Sequence, residues 1–231
     1  MSLFYSYNLD VDSAYIIRIP NNNISEKHAE KCASSCDSVR QKWQYWDAYD
    51  GVQEQIQYPS HHNPIMDCIK ISDHYLTRGE VACALSHISL WAKCVLLDQP
   101  IIVLEHDAIM LQAYTQHEMF NSICYLGGQE VFRDDDRSKG GLIPWHASDG
   151  PNSHFICRAH AYAIDPAVAK NMLAEVIRRG IYAPADIMIQ ADLFNIHQIG
   201  QFAVDDHKGE TTIAGRAEGK RSYIRNDDLK I

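Results

Sequence analysis

Apolar positions recur along this chain at two different spacings. Within RGEVACALSHISLWAKCVLLD, residues Val81, Leu85, Ile88, Ala92 and Val95 fall at helical spacing and form one apolar stripe, which predicts a helix over 78–98. Thr77 followed by Glu80 fits a capping box at its start, and Gln99 with Pro100 ends it. DPAVAKNMLAEVIRRG predicts a second helix: Asp165 caps it, Pro166 suits its first turn, Arg178 and Arg179 suit its negative end, and Gly180 terminates it. Ser25 is expected to cap a further helix, SEKHAEKCASSCDSVRQ, polar enough to leave one side exposed.

Strands show a different texture. Ile101 to Leu104 are aliphatic, mostly β-branched, and read as a fully buried strand that ends in Glu105, His106 and Asp107. SAYIIRIP is a first strand, bounded by Pro20 and the turn-like NNN. WQYWDAYDG is a second, ending in a turn at Asp50 and Gly51, and HAYAI is a strand just before the helix capped by Asp165. Strand, helix, strand with short connections opens a parallel α/β sheet. EQIQYPSHHNPIMDC has two prolines and no period, and reads as loop. Residues 127–153 are rich in Gly, Asp and Ser without periodicity, and a loop of that length in a compact domain is functional or disordered. There is no internal repeat and no domain boundary.

Composition narrows the class. A chain of 231 residues suits one large α/β domain. It is 46% hydrophobic and 22% charged, ordinary values for a globular protein. The opening MSLFYSYNLDVDSAY lacks a signal-peptide pattern, and no apolar run reaches membrane-spanning length. The seven cysteines form no CxxC pair, so reduced thiols in a cytoplasmic protein are expected rather than a zinc ribbon. A net charge of -9 argues against a broad basic face for nucleic acid, though not against a local one.

Several clusters carry candidate chemistry. Residues two apart in a strand share a face, so Glu105 and Asp107 would aim the same way at the strand's carboxyl end, where α/β folds bind ligands. Two hard oxygen donors there suit Mg²⁺ or Mn²⁺; an ordinary solvated strand end is the plain alternative. In VDDHKGETTI, His207 follows Asp205 and Asp206 and reads either as a late metal ligand with carboxylates behind it or as a surface turn. Glu80, Cys83 or Ala84, His87 and Trp91 lie on the helix face opposite the apolar stripe. They line a pocket in one reading; in the other Glu80 belongs to the cap and His87 is a buried histidine. Asp186 in YAPADIMI follows a proline turn, as a helix cap or a general base.

Taken in order, RGEVACALSHISLWAKCV, IIVLEHDAIM, HAYAIDPAVAKNML, APADIMI and DDHKGETTI resemble glycosyltransferase family 25, with AYIIRI and WDAYDG similar to its first strand and Asp-Gly turn. The resemblance runs from about Ala14 to Ile213, with a weaker likeness to small tailed-phage members. It implies a GT-A-like single domain with a mostly parallel central sheet flanked by helices. Residues 1–206 would be the catalytic domain and 207–231 a tail adding a metal ligand and basic residues. It implies a hexosyl- or pentosyltransferase using a nucleotide-sugar donor, a UDP-sugar by expectation, with Mn²⁺ or Mg²⁺. The family's acidic motif, commonly three consecutive acids, falls on Glu105, His106 and Asp107. Asp107, Glu105 and His207 would hold the metal. Asp186 would be the base, with Glu80 also catalytic. Arg18, Asp50, Arg78, Ser86, His87, Glu105 and Lys208 would border the donor.

Inversion at the anomeric carbon follows from the same resemblance, and 127–153 would be a lid or acceptor loop. The acceptor stays open between a cell-surface glycan and a hydroxymethylated base in phage DNA. The basic residues Lys208, Arg216, Lys220, Arg221 and Arg225, with Tyr223, would hold phosphates and stack a base in the second case; a solvated terminus is the plain alternative. A non-catalytic sugar- or nucleotide-binding protein is the remaining alternative, hinted at by His106.

Overall fold

The computed structural model describes residues 13–51, 55–72, 76–115, 122–127, 143–144, 155–156, 158–198 and 200–206. The expected loop at 127–153, apart from residues 127 and 143–144, and the tail from His207 onward lie outside them. In chain order the elements are β1 (Ala14–Arg18), α1 (Asn23–Val39), β2 (Trp43–Asp47), a short 3₁₀ turn (Pro64–Cys68), α2 (Arg78–Leu97), β3 (Ile101–Glu105), β4 (Ala108–Met110), β5 (Ile123–Tyr125), β6 (Ile143–Pro144), β7 (Ala161–Ile164), α3 (Pro166–Arg179), α4 (Ala185–Met188), β8 (Ile196–Gln198) and β9 (Ala203–Asp205).

Seven strands make one sheet in the order β2-β1-β3-β7-β5-β8-β6, and β4 pairs with β9 in a separate ribbon. β1 runs parallel to β2 and β3, and β5 parallel to β8, while β7 and β6 run antiparallel to their neighbours. Five of the seven therefore share a direction, as expected of a mostly parallel α/β sheet flanked by helices. The antiparallel placement of β7 between β3 and β5 had no signature in HAYAI, because a strand buried on both faces reads the same in either direction.

Strand alternation divides the core into two layers. Ile102 and Leu104 of β3 pack with Ala29, Cys32 and Cys36 of α1 on one face. Ile101 and Val103 pack with Val81, Ile88 and Trp91 of α2 and Val168 and Met172 of α3 on the other. The capping box at Thr77 and Glu80 is formed, and Asp165 caps α3 through Ala167 and Val168 N–H groups. At α1 the cap is Asn22, whose Oδ1 accepts from Ile24 and Ser25 N–H; the Ser25 hydroxyl instead accepts from Ile19 N–H at 2.8 Å. Asn22 thus takes the role expected of Ser25: it stands just before the first helical residue within reach of two orphan donors, while the Ser25 hydroxyl is engaged by Ile19.

α2 departs from the two-faced helix suggested by its stripe. Ser86, His87, Ser89, Leu90 and Trp91 are buried as well as Val81, Leu85 and Ile88. Its length and hydropathy match a membrane span, but 67% of that window is buried inside the fold. Polar groups on it are matched to the exit from β2. Ser86 Oγ accepts from Tyr49 N–H at 3.0 Å and donates to the Ala82 carbonyl, and Ser89 Oγ accepts from Trp46 Nε1–H at 2.9 Å.

The turn after β2 presses against the start of α2. A Cβ built on Gly51 would lie 2.5 Å from the Arg78 carbonyl oxygen and 2.9 Å from the Gly79 nitrogen. Both are backbone atoms that cannot swing aside. Gly51→Ala is expected to destabilise the protein by about 1–3 kcal/mol, the usual cost of overpacking, as measured by urea unfolding.

Candidate active site

Register brings the candidate residues to one end of the sheet. Ile17 pairs with Glu105 and Arg18 with Asp47, so β1, β2 and β3 finish together. Glu105 is the last residue of β3, and His106 and Asp107 form the turn into β4. The β4–β9 ribbon sets Asp205 opposite Ala108, and Asp206 N–H donates to the Asp107 carbonyl at 2.9 Å. The acids of IIVLEHD and VDDHK, a hundred residues apart in sequence, thus share one neighbourhood.

Glu105 is anchored through the core. His87 Nε2 lies 3.1 Å from its Oε1, and His87 Nδ1 lies 2.9 Å from the Tyr162 hydroxyl. That hydroxyl also accepts from Trp91 Nε1–H at 2.9 Å. Trp91 can only donate, so Tyr162 has its own proton available for His87 Nδ1. A hydrogen on His87 Nε2 then satisfies every member of the chain and is donated to Glu105. His87 and Tyr162 are fully buried, whereas the Glu105 side chain is 28% exposed.

The two acids flanking His106 have opposite electrostatics. Burial pushes the Glu105 pKa up, but the His87 hydrogen bond and the neighbouring His87, His160 and His106 rings together bring it below the ordinary carboxylate value. Asp107 is pushed up to about 8, first by burial and then by the charges of Glu105, Asp205 and Asp206, against a lowering backbone hydrogen bond. Part of the surrounding charge is met by Lys31, 3.0 Å from Asp206 Oδ2, and Arg158, 3.5 Å from Asp205 Oδ2. His106 turns toward α1, its ring 5.8 Å from that of His28.

His160 completes the cluster. Its carbonyl accepts from Glu105 N–H at 2.9 Å, because β7 runs antiparallel beside β3. It is 4% exposed, and neither ring nitrogen has a hydrogen-bond partner among the described residues. Burial holds its pKa below the usual imidazole value, while Glu105 and Asp205 pull upward. Its ring stands edge-on to Tyr125, and a Cβ on Gly127 would run into its Cε1 and Nε2. Sequence reasoning missed His160 and Tyr162. The only signal for them is the β3–β7 pairing, which no local pattern announces.

The remaining expected site residues that are described make other contacts, and the hydrogen bond that Asp186 accepts from Ile187 N–H does not join it to the Glu105–Asp107 cluster. Arg18 Nε donates to Asp47 Oδ1 at 3.2 Å, with its guanidinium 4.1 Å over the Tyr45 ring. Asp50 exchanges backbone hydrogen bonds with Gln57 at 3.0 and 2.8 Å. Arg78 opens α2 beside Gly51. Glu80 Oε2 accepts from Thr77 N–H at 2.9 Å and from its hydroxyl at 3.0 Å, so that oxygen serves the cap. Ser86 holds the Tyr49 backbone. Asp186 lies in α4, which packs on α2, and its Oδ1 accepts from Ile187 N–H at 3.0 Å. His207 and Lys208 are outside the described residues.

A family model described as glycosyltransferase family 25 (LPS biosynthesis protein) matches residues 13–139. The chain belongs to glycosyltransferase family 25. The matched segment runs from β1 through β5 and contains the Glu105–Asp107 turn and all of α2. HAYAIDPAVAKNML, APADIMI and DDHKGETTI lie beyond it. No curated protein matches the chain. Family 25 membership supports glycosyltransferase activity, with a nucleotide-sugar donor and an acceptor as substrates.

The raised Asp107 pKa has a consequence for stability. Native Asp107 keeps its proton to higher pH than unfolded Asp107, whose ordinary value is 3.8. Its favourable contribution is full below that value and is lost as pH rises toward about 8. In chelator, Asp107→Asn should therefore gain stability over the parent between pH 5 and pH 8, by more than about 1 kcal/mol, the worth of one pKa unit. Urea unfolding at the two pH values reads the difference; a gap that stays constant contradicts it.

Proposed function

We propose that this family 25 protein is a metal-dependent, inverting hexosyl- or pentosyltransferase that moves a sugar from a UDP-sugar to an acceptor hydroxyl. The observation that carries the reading is the gathering of Glu105, Asp107, Asp205 and Asp206 at the end of β3, where the β4–β9 ribbon sets Asp205 opposite Ala108 and burial together with the neighbouring charges raises the Asp107 pKa. Hard carboxylate oxygens in mutual repulsion fit a divalent cation, whose binding would relieve that repulsion. The buried His160 ring beside Glu105 and Asp205, with no hydrogen-bond partner for its nitrogens among the described residues, supports the same assignment.

Glu105 and Asp107 would hold Mn²⁺ or Mg²⁺, with His207 from the chain beyond β9 as a further ligand. A cation held there supplies Lewis-acid neutralisation of the departing diphosphate. His87 keeps Glu105 ionised and oriented. Arg18, Arg78 and Lys208 add positive charge toward the donor phosphates, and Asp50 and Ser86 shape the donor side. Asp186 takes the acceptor hydroxyl's proton as that oxygen attacks the anomeric carbon from the face opposite the diphosphate. The new glycosidic bond forms as the bond to the diphosphate breaks, which inverts configuration. Glu80 acts through the start of α2, which its cap fixes. The catalytic unit would be residues 1–206, with 207–231 as a contributing tail.

For the acceptor we favour a saccharide hydroxyl, which the family's description as an LPS biosynthesis protein supports. Incubation of the protein with UDP-sugars and Mn²⁺ should release UDP, and Asp107→Ala should lower that rate by at least about 100-fold. Retention of full, Mn²⁺-stimulated turnover in that variant sinks the cation assignment. Asp186→Asn should lower kcat by about 10²–10⁴ while leaving the donor KM near the parent value, as loss of a general base requires. Mass analysis of glycan and of hydroxymethylated DNA after reaction decides the acceptor, and a sugar adduct on DNA alone would replace the glycan reading.

A further inference from the structure

Cys83 sits one helical turn before His87 on the same face of α2. A sulfur, an imidazole nitrogen and a carboxylate oxygen from Cys83, His87 and Glu105 all lie within 4.8 Å of one another. We propose that these three side chains form a second metal site, chemically distinct from the hard-oxygen cluster, that takes a thiophilic divalent cation such as Zn²⁺.

The donor set decides the class of ion. Thiolate and imidazole select zinc over manganese and magnesium, which prefer carboxylate and water oxygens. A thiolate and a carboxylate also balance the charge of a divalent ion. Tetrahedral zinc, with bonds of about 2.0–2.3 Å, separates its ligands by about 3.5 Å. His87 Nε2 and Glu105 Oε1 already stand 3.1 Å apart, so closing the set from at most 4.8 Å to the zinc spacing requires the Cys83 sulfur to move by roughly 1.3 Å at most.

The surroundings are built for a ligating histidine. A metal-bound imidazole normally gives its other ring nitrogen to an orienting partner. His87 Nδ1 lies 2.9 Å from the Tyr162 hydroxyl, which Trp91 holds from the far side. On coordination through Nε2, the metal replaces the Nε2–H bond to Glu105 and the ring hydrogen moves to Nδ1; Tyr162, already accepting from Trp91, then accepts from Nδ1 as well and turns its own O–H proton away from His87. His87 stays neutral, and the one proton released comes from the Cys83 thiol. Cys83 and Glu105 are each only partly buried, which leaves a way in from the open side. Three protein ligands also leave a fourth position for water or another small donor.

Glu105 is common to this triad and to the proposed catalytic cluster, so the test reads metal directly rather than turnover. The metal-stripped full chain is titrated with Co²⁺, and Zn²⁺ uptake is measured by equilibrium dialysis. The parent should show a thiolate-to-cobalt charge-transfer band and tight zinc uptake. Cys83→Ser should lose the band and weaken zinc binding by at least about 10-fold, the lower end of what loss of even an outer partner costs. Cys68→Ser removes an exposed cysteine elsewhere and should keep both signals. Cys83→Ala repeats the test should the serine variant fail to fold. A band that survives in the Cys83 variants, one that vanishes with Cys68, or a parent showing no sulfur-to-cobalt signal overturns the site. None of these readouts depends on whether the protein turns over a UDP-sugar.

Discussion

The hydrogen bond between a buried imidazole and the carboxylate closing the central strand is the interaction on which this site rests. Glu105 ends a run of aliphatics that are buried on both faces of the sheet. An acid there without a partner would lose its charge or destabilise the strand end. His87 prevents both outcomes, and it is itself held by Tyr162 and Trp91. The chain joins α2, β3 and β7, so the position of the carboxylate is set by core packing rather than by a flexible loop. Burial strengthens each link, because displaced water cannot compete for the same atoms.

Two acids only two residues apart consequently take opposite characters. Glu105 accepts from His87 and has its pKa held below the ordinary carboxylate value, whereas Asp107 is pushed up to about 8, first by burial and then by the charges of Glu105, Asp205 and Asp206. The ribbon between β4 and β9 adds to this contrast by folding the later pair of aspartates onto the turn after β3. Lys31 and Arg158 offset part of the charge from the outside. The remaining repulsion is the ground for the cation proposed there.

Several residues in the family-like stretches also have a plain architectural task. Glu80 closes the cap of α2, Ser86 binds the backbone leaving β2, and Gly51 permits that backbone to touch the first turn of the helix. These contacts fix where β2 exits relative to the His87 face. Similarity in such a motif therefore reports the frame of the site as much as its chemistry. The same helix also offers a sulfur and a nitrogen beside Glu105, so one acid lies between hard and soft donor sets.

What was legible from sequence is what short-range physics controls. Helical spacing and end chemistry located α2 and α3, because Thr77, Glu80, Asp165 and Pro166 act on backbone groups within a turn of themselves. The aliphatic run ending in acid located β3, and the Asp-Gly pair marked the turn after β2. The misassigned cap at α1 marks the limit of that reasoning: Asn22 and Ser25 are both capping types, and the choice fell to a contact with Ile19. Tertiary structure alone decided the rest. β5, β8 and β9 are three residues each, too short to carry a period, and the direction of β7 leaves no trace in its composition. His160 and Tyr162 reach Glu105 through that pairing, and Asp205 and Asp206 reach Asp107 through β9. Such meetings depend on which distant strands find one another, and that is set by the packing of the whole sheet.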